Sequence, residues 1–221
     1  MANEIIIFGA GGVGCEVAWL LESCSQAGKK YSVVCYIDDN LNLQGRLTMD
    51  IPVVSLKEAA ERFPNARVVP AVACPQERRE IIRRLETIGF HFETIIHPNV
   101  EMSKWVDIGE GAVICAGNIL TTNIRIHRHV QINPACTIGH DSILGEFTTT
   151  APGVHISGCV HLGKRVFVGA GAVIINGTQD KPLIIGDDAM IGAGATVISD
   201  VPDRATVVGV PARVVKIRNP D

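Results

Sequence analysis

Residues 137–147 read TIGHDSILGEF, and the spacing of the aliphatic side chains in this stretch decides the fold. Ile138 and Leu144 stand six residues apart, and the same interval continues along the chain in both directions. A helix repeats every 3.6 residues and a plain strand every two, so neither explains a period of six. Between the two aliphatic residues lie His140 and Asp141, an imidazole beside a carboxylate.

Every sixth position from 102 to 174 carries an apolar aliphatic side chain, with one threonine as the exception. These positions are Met102, Ile108, Ile114, Leu120, Ile126, Ile132, Ile138, Leu144, Thr150, Ile156, Leu162, Val168 and Ile174. The pattern stops at 176–182, NGTQDKP, and resumes in a new phase at Ile185, Ile191 and Val197. Short strands with a turn in each hexapeptide predict a parallel β-helix of three hexapeptides per coil, with four coils before the break. His140 and Asp141 then fall on an outward-facing turn.

The first hundred residues follow a different pattern. Apolar runs at 4–8, 31–37, 66–73 and 90–96 predict strands, and amphipathic runs at 16–25, 55–63 and 76–89 predict helices. This alternation predicts an α/β unit with a mostly parallel sheet. We therefore place a Rossmann-like domain at 1–97 and a β-helix domain at 98–221.

Composition excludes several classes of protein. The chain has 221 residues, of which 47% are hydrophobic and 19% charged, so it can bury a sizeable core. A net charge of −3 gives no general attraction to nucleic acid. We expect no signal peptide and no membrane insertion, since the N-terminus lacks a basic segment and no apolar run approaches the roughly 20 residues of a spanning helix. Seven cysteines without a CxxC pair predict reduced thiols and a cytoplasmic location.

A glycine-rich stretch follows the first predicted strand. Gly9, Gly11 and Gly14 form a GxGxxG pattern before a predicted helix, and Asp38 stands at the end of the next predicted strand. Such a pattern is typical of dinucleotide-binding domains. Taken alone, the GxGxxG pattern is compatible with a protein that binds a nicotinamide cofactor.

The hexapeptides over 102–200 and the segment VVGVPARVVK at 207–216 resemble the hexapeptide-repeat acyltransferases. That resemblance implies a left-handed β-helix and a homotrimer with active sites between neighbouring subunits. A narrower resemblance rests on IIIFGAGGVG, YIDD, IHP and NPACTIGHDSILGEF. These segments are similar to bacterial nucleotide-sugar N-acetyltransferases of the bacillosamine and perosamine type and to sialic-acid O-acetyltransferase-like proteins.

The resemblance implies an acetyl-CoA-dependent enzyme of glycan biosynthesis. Its substrate would be the 4-amino group of a nucleotide-linked 4-amino-6-deoxy sugar, with UDP favoured as the nucleotide. His140 matches the proposed general base, Asp141 the acid that orients it, and Asn133 an asparagine near the histidine. Histidine suits this task because it can accept a proton near neutral pH, and a carboxylate beside it can fix its tautomer. Asn133 fits equally a structural asparagine in the turns of a β-helix.

By the same resemblance, acetyl-CoA lies in a groove between subunits. The Gly158 N–H faces the thioester carbonyl, Ala170 and Ala193 line the pantetheine, and Arg213, with Lys216, meets the phosphates. No metal is expected.

In the N-terminal domain, the resemblance assigns Gly9, Gly11, Gly12 and Gly14 to the diphosphate of a nucleotide sugar. It assigns Asp38 and Asp39 to the uridine or the amino sugar. Val13 and Ala73-Cys74 depart from the pattern of many relatives in this presumed nucleotide-sugar site, and Thr149 departs from it near the acyl donor.

Three alternatives remain at the level of sequence. One is an O-acetyltransferase acting on a sialic-acid-type hydroxyl, against which the acidic pair at 38–39 is weak evidence. Another is an NAD-binding protein that uses the glycine loop. The third is a β-helix scaffold without catalysis.

Overall fold

The computed structural model describes residues 2–219 and divides the chain into two compact units, Met1–Pro98 and Asn99–Asp221. The first is an α/β unit and the second a stack of short parallel strands in regular coils. A Rossmann-like domain followed by a left-handed parallel β-helix is therefore confirmed as the fold class.

The first unit contains a six-stranded sheet with the order β3-β4-β2-β1-β5-β6, parallel except for the β3–β4 pair. Its elements are β1 (Asn3–Phe8), α1 (Gly12–Gln26), β2 (Tyr31–Ile37), β3 (Leu47–Thr48), β4 (Ile51–Val54), α2 (Leu56–Arg62), β5 (Arg67–Pro70), α3 (Pro75–Ile88), β6 (His91–Phe92) and β7 (Ile95–Ile96). The predicted order of strands and helices holds. The short β3–β4 hairpin was not expected from the sequence.

Two predicted strands are shorter than the sequence suggested. The run 66–73 forms a strand only to Pro70, because the carbonyls of Val72 and Ala73 accept hydrogen bonds from the buried Arg78 guanidinium instead of a neighbouring strand. The run 90–96 splits into β6 and β7. At the break, the Glu93 carboxylate accepts a hydrogen bond from the Tyr31 hydroxyl at 3.0 Å.

Two helix termini lie where the sequence predicted a cap, and one helix start does not match the prediction. The Ser55 hydroxyl accepts the Glu58 N–H at 3.1 Å and starts α2, and α3 ends at Gly89, whose φ is +96°. The prediction was wrong for α1, which begins at Gly12 rather than at residue 16. The first turn of α1 is therefore built from the glycine-rich stretch itself.

The second unit contains three sheets of mainly parallel strands, and each sheet forms one face of the coil. The first face holds β10 (Val113–Ile114), β13 (Gln131–Ile132), β16 (Thr149–Thr150), β19 (Phe167–Val168), β22 (Met190–Ile191), β24 (Ala205–Val208) and the antiparallel β25 (Arg213–Ile217). The second holds β8 (Glu101–Met102), β11 (Ile119–Leu120), β14 (Thr137–Ile138), β17 (His155–Ile156), β20 (Val173–Ile174) and β23 (Thr196–Val197). The third holds β9 (Val106–Ile108), β12 (Ile124–Ile126), β15 (Ile143–Leu144), β18 (Val160–Leu162) and β21 (Leu183–Ile185).

The pairing of the strands confirms three hexapeptides per coil. Thr137 pairs with His155 and Ile138 with Ile156, so each residue lies beside the one three hexapeptides later. The predicted inward positions are almost all buried, and even Thr150 is fully buried. Met102, which is 42% exposed, and the half-buried Ile108 are the exceptions, because each belongs to the first strand of its face and only one neighbouring strand covers it.

The corners of the coils repeat as strictly as the strands. The first corner joins the first face to the second, the second corner joins the second face to the third, and the third corner returns to the first face. Most turns contain one residue with a positive φ, and these residues stack one coil apart, as in Asn123, Asp141 and Cys159 at the second corner. This backbone conformation fixes the direction in which the corner side chains leave the coil.

Among residues 2–219, no helix has the length and apolar character needed to cross a bilayer. All seven cysteines are free thiols.

The corner geometry predicts that an alanine is strained at the first corner. Ala135 has a φ of +61° and is not buried, so Ala135→Gly should raise the stability by about 0.5–1 kcal/mol, because glycine adopts this conformation without a Cβ clash. Thermal unfolding measures the change. The matched control is Ala112→Gly at a fully buried position, which should lower stability by about 1 kcal/mol. A decrease for both variants would contradict the assignment of strain to Ala135.

Candidate active site

The second corner brings His140 and Asp141 to the surface of the coil. The turn between β14 and β15 carries both residues, and the positive φ of Asp141 (+59°) turns its carboxylate back toward the preceding imidazole. The His140 Nδ1 and Asp141 Oδ2 atoms lie 2.7 Å apart. An ionised carboxylate can only accept, so Nδ1 carries the proton and the Nε2 lone pair is left for another partner.

Gly158 lies one coil further along the same corner, against the His140 ring. A methyl group placed on its Cα would come within 2.5 Å of His140 Nε2 and 2.7 Å of Cε1. Only glycine therefore allows the imidazole to rest against this turn. The sequence interpretation put the Gly158 N–H near the thioester carbonyl, and the structure places Gly158 beside His140 Nε2.

The Asp141 carboxylate has partners besides His140. The Asn123 side-chain amide, one coil earlier at the same corner, donates to Asp141 Oδ1, and the Gln179 side chain lies beside the carboxylate in the wall of a cavity that all three residues line. The hydrogen bond from His140, followed by the one from Asn123, lowers the pKa of Asp141 below its usual value. The carboxylate is thus held ionised. The sequence interpretation missed both amides, although the coil length alone places Asn123 beside Asp141.

A cavity of about 270 Å³ opens beside Asp141. Asn123, Arg125, Asp141, His161 and Gln179 supply polar groups to its wall. Cys159 contributes a mostly buried thiol that was also missed.

Donor atoms of His140, Asp141 and Cys159 all lie within 4.8 Å of one another. This is a potential set of metal ligands. The Asp141 carboxylate in it is already bonded to His140 and Asn123.

Asn133, Ala170 and Ala193 lie at the first corner, not at the second. The Asn133 amide donates to the Thr150 carbonyl at 2.9 Å, which is the structural role among the two that the sequence allowed. Within one chain β14 separates Asn133 from His140, so their expected proximity in a site between subunits stays a prediction. Arg213 is exposed on β25 and lines a cavity of about 430 Å³ near the end of the coils.

In the first unit, the glycine loop joins β1 to α1. Gly14 packs so closely that an added methyl group would meet the Gly9 carbonyl oxygen at 2.0 Å, whereas Gly11 and Gly12 face open space. The first turn of α1 has no side-chain cap on Gly11. Its amides are thus available to an anion, as the assignment of the loop to a diphosphate requires.

The two aspartates after β2 already have partners. Asp38 Oδ2 accepts the Ala10 N–H of the glycine loop at 2.9 Å, and its Oδ1 accepts the Asn40 N–H at 2.8 Å. Asp39 forms a bidentate pair with Arg84 at 2.7 and 2.9 Å, and this hydrogen bonding lowers the pKa of Asp39. Arg84 was missed by the sequence interpretation. Because Arg84 balances the charge of Asp39, the acidic pair no longer argues for a cationic substrate.

Comparison with known proteins gives matches in both units. The model of the PglD N-terminal domain matches residues 4–85, and that of the hexapeptide repeat of succinyl-transferase matches residues 182–210. GDP-perosamine N-acetyltransferase of Escherichia coli O157:H7 is 34% identical over 187 residues, covering 81% of this chain and 81% of that protein.

Two solved structures resemble the whole chain. WeeI from Acinetobacter baumannii AYE superposes with a TM-score of 0.89 at 34% identity, covering 97% of this chain and 100% of that one. PerB from Caulobacter crescentus, solved in complex with CoA and GDP-perosamine, has a TM-score of 0.84 at 28% identity and covers 98% and 99%. With this fold, this site and these relatives, the protein is an acyltransferase. The chain belongs to the family of sugar N-acetyltransferases that includes GDP-perosamine N-acetyltransferase.

The contact between Gly158 and His140 predicts a selective loss of activity. In Gly158→Ala the new methyl group must push the imidazole away, and since Gly158 has no positive φ the backbone tolerates alanine. We expect kcat to fall about 10- to 100-fold, on the scale of a general base that is out of place, with the melting temperature nearly unchanged. Steady-state kinetics and thermal unfolding on one preparation test this. Wild-type kcat in a folded Gly158→Ala variant would show that the ring position does not matter.

Proposed function

We propose that this protein transfers the acetyl group of acetyl-CoA to the 4-amino group of a nucleotide-linked 4-amino-6-deoxy sugar. The observation that carries the proposal is the 2.7 Å hydrogen bond between His140 Nδ1 and Asp141 Oδ2, with His140 Nε2 beside Gly158. This arrangement provides a proton acceptor in a fixed tautomer next to a backbone amide. N-acetylation needs both groups, and no nucleophilic side chain.

The reaction proceeds by direct transfer. The neutral amine attacks the thioester carbonyl, a C–N bond forms, and the amine proton passes to His140 Nε2. Asp141 stabilises the imidazolium across Nδ1. The Gly158 N–H donates to the oxyanion of the tetrahedral intermediate, which then expels the CoA thiolate. The imidazolium returns the proton to the thiolate, so the enzyme ends in its starting state.

Acetyl-CoA is assigned to a groove between two subunits of a homotrimer. Ala170 and Ala193 stand at the first corner and His140 and Gly158 at the second, so one chain presents the two halves of the proposed site on different edges of the coil. A neighbouring copy that brings its first corner to this second corner would complete the site. Asn133 would then meet His140 across the seam, with its amide also bonded to Thr150. Arg213 remains the proposed contact for the CoA phosphates.

The nucleotide sugar is assigned to the first unit. Gly11 and Gly12 leave room above the start of α1, where backbone amides suit a diphosphate. Asp38 holds the loop through Ala10, and the Asp39–Arg84 pair offers both an acceptor and a cation to a base or ribose. Two nucleotides have support. The resemblance of the N-terminal segment favours UDP, and the names of the perosamine relatives carry GDP.

The first test is CoA thiol release with acetyl-CoA and a panel of UDP- and GDP-linked 4-amino sugars. We expect rapid release with one of them and none with its 4-hydroxy analogue. His140→Ala should lower kcat about 100- to 10,000-fold, because general base catalysis contributes on that scale. His91→Ala is the matched control, because His91 is an exposed histidine of the first unit outside both proposed sites, and it should keep its activity.

Release with the 4-hydroxy sugar alone would favour O-acetylation instead. Stabilisation of the protein by NADH, with no release from any acceptor, would favour a nicotinamide-binding protein. Unchanged turnover in His140→Ala would remove the histidine from the mechanism.

The trimer gives a separate prediction. Exposed apolar side chains occur on the strands of the second unit, among them Ile119, Ile184 and Met190. Burial of these side chains between subunits would help to offset the entropy that association costs. Light scattering on a size-exclusion column should give about three times the chain mass of 23.7 kDa. A monomer of full activity would contradict the shared site.

A further inference from the structure

The segment 176–182 interrupts the coil repeat beside the candidate site. On the third face, Ile143 pairs with His161 at the regular coil interval, whereas His161 pairs with Ile184, an interval that is longer by five positions. The additional residues lie between β20 and β21, at the second corner. The strands before and after them still pair with one another, so the β-helix continues past the insertion.

Hydrogen bonds tie both ends of this segment to the residues beside His140. The Gly177 N–H donates to the Gly158 carbonyl at 3.1 Å, and the Leu183 N–H donates to the Cys159 carbonyl at 3.0 Å. Within the segment, Thr178 and Lys181 exchange backbone hydrogen bonds of 2.9 and 3.2 Å, and the Thr178 hydroxyl accepts the Lys181 N–H at 3.0 Å. These bonds close a tight turn with residues 179 and 180 at its tip.

The turn brings Gln179 to Asp141. Gln179, Asn123 and Asp141 line the same cavity, and the Asn123 amide donates a hydrogen bond to the Asp141 carboxylate. The Gln179 side chain lies close enough to this carboxylate to help lower its pKa. Asn123 reaches it from the preceding coil, at a residue with a φ of +55°, and Gln179 reaches it from the inserted turn. His140 Nδ1 binds the remaining side of the carboxylate at Oδ2.

We propose that Asn123 and Gln179 are positioning residues that hold the Asp141 carboxylate against His140 Nδ1, and that the inserted turn serves to supply Gln179. The inference rests on the proposed role of His140 as general base. The Asp141 side chain is 26% exposed, so water competes for its oxygens and it could turn away from the imidazole. With Asn123 bound to Oδ1 and Gln179 beside the carboxylate, Asp141 Oδ2 stays on Nδ1, and Nε2 stays unprotonated toward the acceptor amine.

The test is a set of double-mutant cycles measured as kcat for the best acceptor. Asp141→Asn keeps the shape and the tolerance for positive φ, and should lower kcat about 100-fold. Gln179→Ala and Asn123→Gly should each lower it about 10-fold, a part of the same contribution, with the KM for acetyl-CoA within about 2-fold of wild type. Glycine is used at 123 because alanine would add strain at a positive φ. In the Asp141→Asn background, neither change should lower kcat further, because residues that act through one group are not additive.

Asp180→Ala is the matched control for the turn, since it changes the exposed neighbour of Gln179 in the same tip. It should leave kcat at the wild-type value. Equal losses in Asp180→Ala and Gln179→Ala, or full additivity of Gln179→Ala with Asp141→Asn, would overturn the proposal. Wild-type kcat in both Gln179→Ala and Asn123→Gly would overturn it as well.

A second readout does not depend on turnover. In protein labelled with ¹⁵N-histidine, the His140 resonances, assigned by their loss in His140→Ala, report which ring nitrogen carries the proton. We expect the Nδ1-protonated tautomer in the wild type and a larger share of the Nε2-protonated tautomer in Gln179→Ala and Asn123→Gly. An unchanged tautomer in both variants would overturn the positioning role. Failure of the wild type to acetylate any acceptor, with the tautomer shifting as expected, would instead refute the proposed function and leave the positioning of Asp141 standing.

Discussion

The stacking of identical coils is the constraint on which the second unit depends. Its very short parallel strands are not stable in isolation. Each is stable only because it pairs with a strand in the next coil and covers the apolar side chains of its neighbours. The regular register fixes the corners as well as the strands, because most turns contain one residue with a positive φ at the equivalent position. Polar side chains at equivalent corner positions therefore lie directly above one another, although they are far apart in sequence.

The candidate site is a product of this stacking. Asn123, Asp141 and Cys159 occupy one corner position in three successive coils, and the His140 ring rests on the glycine of the next turn. A general base and the groups that orient it need fixed positions more than they need a deep pocket. The coil provides this rigidity at its surface, where a large substrate can approach. The inserted turn at 176–182 adds a contact that the repeat alone does not contain.

In the first unit, contacts between residues that are distant in the chain likewise hold the glycine loop in place. The glycine loop keeps its form because Gly14 packs against the Gly9 carbonyl and Asp38 accepts the Ala10 N–H. The structural role of Asp38 is therefore to hold the glycine loop in place. Asp39 is neutralised by Arg84 on α3, a residue 45 positions away in the chain. Ion pairs of this kind are formed by packing, so an acidic pair in the sequence does not by itself determine the charge that a substrate meets.

The sequence by itself determined the two-part fold, the coil length and the place of His140 and Asp141 on an outward turn, because a six-residue period and a GxGxxG pattern are local signals. It also placed the caps at Ser55 and Gly89, for the same reason. Only the tertiary structure decided which corner each residue joins, since that depends on how strands from different coils align. It thereby separated Asn133 from His140, and it brought Asn123 from the preceding coil and Gln179 from the inserted turn to the Asp141 carboxylate.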